Sequence, residues 1–569
     1  MKKLLFIILG IILVSSLIFS GCSGTSTTPA PPTATKAPAP PPTTAAPPPP
    51  PQATTQAPPP AVKTSAPPAA PTLAPSLAPT TVPPSTGQPQ YGGVFRHIQG
   101  MGPINIGDPA IVPGIPTYYG PAGESLWYSD KDGKPVPCLA TSWDISPDGK
   151  TIIFKLRRGV KFHDGTDFNA AAVKWCLDRG KNGQGPGLKP VTSIEIVDDY
   201  TVKVNLPGYD YSVWDSLGGQ RSVSWIVSPT AIQKNDKDWP LLNLVGTGAF
   251  KISSYKRDLS MNYDKFTDYW QKGLPYFDKL ELQIIANPTT ALMNFKGGGA
   301  DLINNLAVSD ANDLKKEGKY NIVTTPGMSV MLAFSGKTTG SPFTDIKVRQ
   351  AVTYAIDTKT IAAGVGSGYY LPANQPFPPW MWAYNPNIKG YPFDPAKAKA
   401  LLKEAGFPSG FKTKIYLQSG QSQDMQIAVQ SYLKDVGIET EVQTLAPPNI
   451  AQMMTTAGWD GLMTGQLLTI SGMDPGALMQ GMGFVNRGPY YVSVIRTDDT
   501  LALLNQANGE MDAAKRKSLL QQMSKLAIDD YCLVCPIYYT QGLNALQPNV
   551  RDIGIGEFRY AYEKGWFSK

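Results

Sequence analysis

The sequence predicts an α/β protein, and three patterns carry that prediction. Two β-hairpins, over 139–157 and 194–206, alternate apolar and polar residues about tight turns. A strand–helix–strand unit over 413–445 has the spacing of a βαβ crossover, which implies parallel strands joined right-handedly. Between them lie amphipathic stretches whose apolar residues recur at helical intervals.

In chain order, Gly92-Gly93-Val94-Phe95-Arg96 reads as a strand led by glycines, followed by the turn Asp108-Pro109-Ala110. In the first hairpin Leu139 to Ile145 is the incoming arm and Thr151 to Arg157 the outgoing one. Pro147-Asp148-Gly149 makes the turn, because Pro sets φ and Gly accepts a positive φ. Ile152, Phe154 and Leu156 alternate with polar neighbours apart from Ile153, as a half-buried strand requires. After a second turn at Asp164-Gly165, Thr166 or Asp167 stands where an N-cap belongs, ahead of Val173, Cys176 and Leu177 at helical spacing. The second hairpin pairs Ile194-Glu195-Ile196 with Val202 to Leu206 across Asp198-Asp199.

The later half is more helical. Val348, Val352, Ala355 and Ile356 share one face of a helix over Phe343–Asp357. Asp394-Pro395 supplies an N-cap and a first-turn proline to a helix carrying Ala398, Leu401, Leu402 and Ala405, and Gly406 ends it. Thr413–Leu417 is a strand, and Met425, Ala428, Val429, Tyr432, Leu433 and Val436 form a helical stripe closed by Gly437. Ile438–Leu445 is the next strand. Leu501–Ile528 reads as helix interrupted near Gly509, and Ile537-Tyr538-Tyr539 as a strand.

The N-terminus has its own chemistry. Lys2-Lys3 precede an apolar run of about sixteen residues, Leu4 to Phe19, short of the ~20 a membrane span needs but right for a signal-peptide core. Ser20-Gly21-Cys22 follow and resemble the lipobox of bacterial lipoproteins, with Phe19 departing from the usual leucine. That resemblance implies a signal peptide over 1–21 and a lipidated Cys22. From 22 to 90 the chain is Pro, Ala and Thr with almost nothing apolar to bury, so it cannot offset its ordering entropy and is expected to be a disordered tether. In polyproline form, at ~3.1 Å per residue, it would reach up to roughly 200 Å.

Composition excludes several functions. Among 569 residues Lys and Arg number 51 and Asp and Glu 44, a net charge of +7 spread without a basic block. Nucleic-acid binding, which needs concentrated basic residues against phosphates, is therefore set aside. The two histidines are His97 and His163, and no His-Glu-x-x-His, Gly-x-Ser-x-Gly or Walker A pattern occurs, so the chain is read as a non-enzyme without cofactor or metal. Cys532-Leu533-Val534-Cys535 is a single CxxC, short of a zinc site. On a strand its thiols would point to opposite faces. A Cys138–Cys176 disulfide is geometrically open in an oxidising compartment.

One long ordered match points further. Leu139-Ala140-x-Ser142-Trp143, Ser146-Pro147-Asp148-Gly149-Lys150 and Phe154-x-Leu156-Arg157-x-Gly159-Val160-Lys161-Phe162-His163-Asp164-Gly165 resemble the hallmark segment of solute-binding protein family 5, the extracytoplasmic peptide/nickel/opine-binding group serving ABC importers. Gly246-Thr247-Gly248-Ala249-Phe250, Tyr269-Trp270, Gly299-Ala300-Asp301 and the helix after Phe343 continue the likeness, which spans most of 91–545. Within that helix Arg349 is expected to be a structural ion-pairing residue. The resemblance implies a two-lobed periplasmic-binding-protein-like fold with an extra small domain. Lobe I would comprise 91–127, 240–333 and 540–569, the small domain 128–239, and lobe III 334–539. The implied function is capture of a peptide or peptide-like solute in the interlobe cleft for an ABC permease, by a lipid-anchored monomer on the outer face of the membrane. The alternatives are a non-peptide solute (metal chelate, opine or saccharide) or a sensor or adhesin role.

For the cleft, the segment Leu467–Pro475 looks like the family's Gly-Asp-Pro region. Peptide binders of the family place an ammonium-pairing Asp three residues before its Asp, where this chain has Ser471. A neutral hydroxyl forgoes a charge-assisted bond of about 1.5–3 kcal/mol, so either standard peptides are disfavoured or the anchor shifts, Asp474 being the candidate. Met473, Trp380, Trp382, Arg487 and Tyr490 complete that wall, with Arg487 able to hold a carboxylate bidentately. Tyr118 and Tyr119 are aromatic candidates from the first lobe, balanced against a place in the core.

Overall fold

The computed structural model describes residues 87–103, 105–111, 116–183, 186–218, 225–469, 473–481, 490–555 and 560–569. Cys22, the signal peptide and the tether lie outside these described residues. In chain order the strands used below are β1 (Val94–Gln99), β2 (Trp127–Ser129), β3 (Pro135–Pro137), β4 (Ala140–Ile145), β5 (Thr151–Leu156), β6 (Ser193–Asp198), β7 (Thr201–Asn205), β8 (Phe250–Lys256) and β9 (Ser260–Lys265). They continue with β10 (Lys279–Ile284), β11 (Leu302–Ile303), β12 (Asn321–Phe334), β13 (Leu371–Pro372), β14 (Phe411–Gln418), β15 (Ile438–Leu445), β16 (Leu462–Leu468) and β17 (Val534–Leu546).

The two predicted hairpins are neighbours in one antiparallel sheet of order β4-β5-β7-β6. Ile152, Phe154 and Leu156 of β5 and Val202 and Val204 of β7 are buried with Val173, Cys176 and Leu177 of the helix Ala170–Asn182. Each such side chain contributes about 1.5–3 kcal/mol by leaving water. The helix begins later than the sequence suggests. Lys161 and Asp167 form a β-bridge across the Asp164-Gly165 turn and an ion pair at 2.7 Å, which keeps Thr166 and Asp167 extended. Asn169 is the cap instead, its side chain accepting from the amide of Ala172.

The larger sheet runs β15-β14-β16-β12-β17-β11-β1-β10-β9-β8, with β13 also against β17. At one end β14 and β15 are parallel in full register, Phe411 against Ile438 through Gln418 against Leu445, around the crossover helix Asp424–Asp435. At the other, β1 lies parallel to both β10 and β11. Long strands β12 and β17 connect the ends: β17 reaches β11 through Leu546, while β12 reaches β16 through Phe334. Their ladder breaks between Pro326 and Ser329. Pro326 has no amide hydrogen to donate, and Gly327 lies so near Thr540 that a Cβ there would sit 2.5 Å from its carbonyl oxygen.

Three side-chain expectations are corrected here. Arg349 is buried and donates to the backbone carbonyls of Cys532, Phe343, Thr344 and Tyr531 rather than to a carboxylate, so it ties its helix to the start of β17. Cys532 precedes β17 with φ +46°, off the strand, and both CxxC thiols enter one core instead of opposite faces. Cys138, Cys176, Cys532 and Cys535 are all buried and join no disulfide, the Cys176 thiol lying 3.2 Å from the carbonyl of Val227.

Candidate functional site

In open α/β sheets, ligands bind beyond the carboxyl ends of parallel strands. Here those ends are Gln99 of β1, Ile284 of β10 and Ile303 of β11. Asn305, two residues past β11, has φ +55°, and Leu306 then donates its amide to Leu543 of β17. The same face holds His97, wholly buried, with Nδ1 2.8 Å from the Tyr562 hydroxyl and Nε2 2.8 Å from Gln99 Nε2. The Gln99 amide has only hydrogens to offer, so Nε2 accepts and the ring is neutral. Burial depresses its pKa from 6.5 to about 3.

A second group of residues gathers at the break in the β12–β17 ladder. Thr469, just past β16, donates both its amide and its hydroxyl to the carbonyl of Gly327 at 2.9 Å. Its own carbonyl accepts the indole N–H of Trp380 at 2.7 Å. The Trp380 ring stands edge-on to Tyr539 of β17, centroids 5.8 Å apart. Trp380 is thereby held beside the break in the β12–β17 ladder.

Asp474 has a different duty from the one expected of it. Its Oδ1 accepts from Arg516 Nη2 at 2.7 Å, both side chains being 2–4% exposed, and also from the amide of Gly476. A buried carboxylate matched to a buried guanidinium offers a ligand ammonium less than a lone carboxylate would. Arg516 also donates Nε to the carbonyl of Ala507. Its guanidinium carbon lies 3.4 Å from the ring centroid of Tyr211 and 5.3 Å from that of Trp382. Trp382 in turn rests on Gly133 in the β2–β3 turn, where a Cβ would fall 2.6 Å from Trp382 Cδ1.

Trp380, Trp382, Met473 and Tyr490 therefore pack against one apolar cluster, with Asp474 beside them. Ser471 and Arg487 lie outside the described residues. Tyr118 and Tyr119 do not join this group. Both are sealed in the core shared by β1, β9 and the four-stranded sheet. The Tyr118 hydroxyl donates to the carbonyl of Met101, and Tyr119 stacks on Trp225 at 4.9 Å. Burial raises both phenol pKa values.

Sequence reasoning missed Arg516, Tyr211 and Gly133. Arg516 had a detectable signal, since it occupies an apolar-stripe position with Leu520, Met523 and Ala527 in the helix Ala513–Lys525 and its extension. An arginine there must find buried partners. Tyr211 and Gly133 carried no such mark.

Residues 134–487 match the family described as bacterial extracellular solute-binding proteins, family 5. The chain belongs to this family. Heme-binding protein A of Haemophilus influenzae is 31% identical over 458 residues, covering 74% of this chain and 82% of the relative. The glutathione-binding protein GsiB of Pectobacterium atrosepticum is 34% identical over 329 residues, 57% of this chain, and the match spans 63% of GsiB, under two thirds of its length. The periplasmic binding protein DppA of Helicobacter pylori, in complex with peptide STSA, superposes with a TM-score of 0.71 at 25% identity, covering 84% of this chain and 99% of DppA. This family 5 protein therefore has the two-lobed α/β binding-protein fold, and it is an extracellular solute-binding protein of the kind that serves ABC importers.

Proposed function

We propose that this family 5 protein captures a peptide-like solute between its lobes and delivers it to an ABC permease while tethered to the membrane through lipidated Cys22. The observation that carries the reading is the knot of Trp380, Thr469 and Gly327, which seats an aromatic ring and the end of β16 at the break in the β12–β17 ladder. The ligands in its relatives' names, peptide, glutathione and heme, support a peptide-like class with a rival in heme. Because Asp474 is spent on Arg516, the solute's ammonium, if it has one, finds its partner elsewhere.

The lobe boundaries proposed above are supported by the separate sheet that β4 to β7 form, and β17 joins the parts of the larger sheet, pairing with β12 along one edge and with β11 at its end on the other. The anchor rests on Lys2-Lys3, the apolar run and Ser20-Gly21-Cys22. The protein acts as a monomer in this reading and takes no part in catalysis.

The deciding experiment is native mass spectrometry of the purified protein for co-purified solute, followed by thermal-shift titration with the tetrapeptide Ser-Thr-Ser-Ala, glutathione and heme. Stabilisation by the tetrapeptide or glutathione is expected. Stabilisation by heme alone would overturn the peptide-like assignment.

A further inference from the structure

Arg516 is bonded along part of its edge, Nη1 being buried without a hydrogen-bond partner among the described residues, and its face is left for another group. Nε is bonded to Ala507 and Nη2 to Asp474, and a guanidinium plane, weakly hydrated and delocalised, is completed by an aromatic face. That face is Tyr211, at 3.4 Å. Tyr211 comes from a different part of the molecule. It is the first residue of the helix Tyr211–Leu217, capped by Asp210, whose carboxylate accepts the amide of Ser212 at 2.8 Å. One turn on, Trp214 is buried and stacked on Trp127 at 4.6 Å, which fixes this helix to the core of the four-stranded sheet. A second contact joins the same two bodies: Gly133, at φ +78°, gives Trp382 its seat. The helix Tyr211–Leu217 also packs beside the helix Asp498–Gly509, which supplies the Ala507 carbonyl.

We infer that Tyr211 is a positioning residue for solute capture, docking the four-stranded body onto the cleft wall through Arg516 and so prolonging the closed, solute-holding arrangement. This inference rests on the reading under Proposed function. Neither contact falls within a single body: Tyr211 and Gly133 come with β2 to β7, Arg516 and Trp382 with the wall that carries Asp474. Separation of the two breaks both at once, whereas the Asp474–Arg516 pair lies wholly on one side and survives. Tyr211 should therefore act on release of the solute and leave encounter and local folding alone.

The test compares wild type, Tyr211→Phe and Tyr211→Leu in the full chain. Release of Ser-Thr-Ser-Ala and of glutathione is followed by stopped-flow tryptophan fluorescence, and the radius of gyration by small-angle X-ray scattering. Tyr211→Phe keeps the ring face and should release at the wild-type rate. Tyr211→Leu should release about tenfold faster, with its association rate unchanged and its scattering radius larger. Native circular dichroism with a wild-type release rate in Tyr211→Leu would overturn the inference while leaving the proposed function standing. Should Tyr211→Leu fail to fold, Gly133→Ala, whose methyl drives into Trp382, is read in its place, with the same two outcomes. If wild type binds neither probe, the proposed function falls. The scattering arm then decides alone, an unchanged radius counting against Tyr211.

Discussion

The indole nitrogen of Trp380 and the carbonyl oxygen of Thr469 are 2.7 Å apart, and that bond ties the Trp380 loop to the end of β16, beside the break in the β12–β17 ladder. Trp380→Phe keeps the apolar ring and removes the donor. It should lower stability by about 1 kcal/mol and weaken binding of the identified solute, measured by urea denaturation and isothermal titration calorimetry. Unchanged values in both would show that the bond does not hold the loop.

Removing Arg516 leaves Asp474 a buried, unmatched charge. Arg516→Met should cost about 3–5 kcal/mol, whereas the double change Asp474→Leu with Arg516→Met should cost far less, because no lone charge remains. Chemical denaturation of the single and double variants tests this, and equal losses would contradict it.

Buried His97 and partly buried His163 give stability a pH slope. Desolvation lowers His97 to about 3 and His163 to about 4, so between those values and 6.5 the unfolded chain binds protons that the folded one refuses. Stability contributed by neutral imidazoles is complete above 6.5 and lost as pH falls. Asp301 works the other way. Burial raises it to about 6, so between about 4 and 6 the folded form keeps its proton and stability from this group falls as pH rises. From about pH 4.5 to 6 the balance is roughly one proton, or ~1.4 kcal/mol per pH unit in favour of higher pH. His97→Gln should flatten that slope nearly to zero in denaturant titrations, and an unaltered slope would refute the assignment.

The four described thiols should be silent in the native protein. Burial pushes Cys532 up to about 11 and Cys176 up to about 12, far from thiolate at neutral pH. For the chain from Gly87 onward, a thiol-reactive dye should label none of them rapidly before denaturation and all four after it. Fast labelling of the folded protein, or fewer than four after unfolding without reductant, would contradict this.

Membrane attachment is tested at one residue. Cys22→Ala should abolish incorporation of labelled fatty acid and move the protein from the membrane to the soluble fraction, with binding unaffected. Continued sedimentation with membranes would argue for an uncleaved anchor.

Local patterns were legible wherever one side chain answers to its neighbours in sequence. The hairpin turn at Gly149, the Asp394 cap with Pro395, and the stripe Met425, Val429 and Leu433 between parallel strands can all be read this way, and the structure places them accordingly. The helix after Asp167 started late because a bridge to Lys161, six residues back, outweighed a local cap. The site was harder. Trp380, Trp382 and Met473 are candidates by residue type and by likeness to the family, while the structure pairs Asp474 with Arg516 and buries Tyr118 and Tyr119 in the core.

The sequence by itself determined the fold class and the family, because these follow from turn chemistry, apolar period and a long ordered motif. Only the tertiary structure decided which charges cancel, which aromatic rings are sealed, and that Tyr211 meets Arg516. Those outcomes depend on distances between residues hundreds of positions apart, where desolvation and close packing act on groups that share no local pattern.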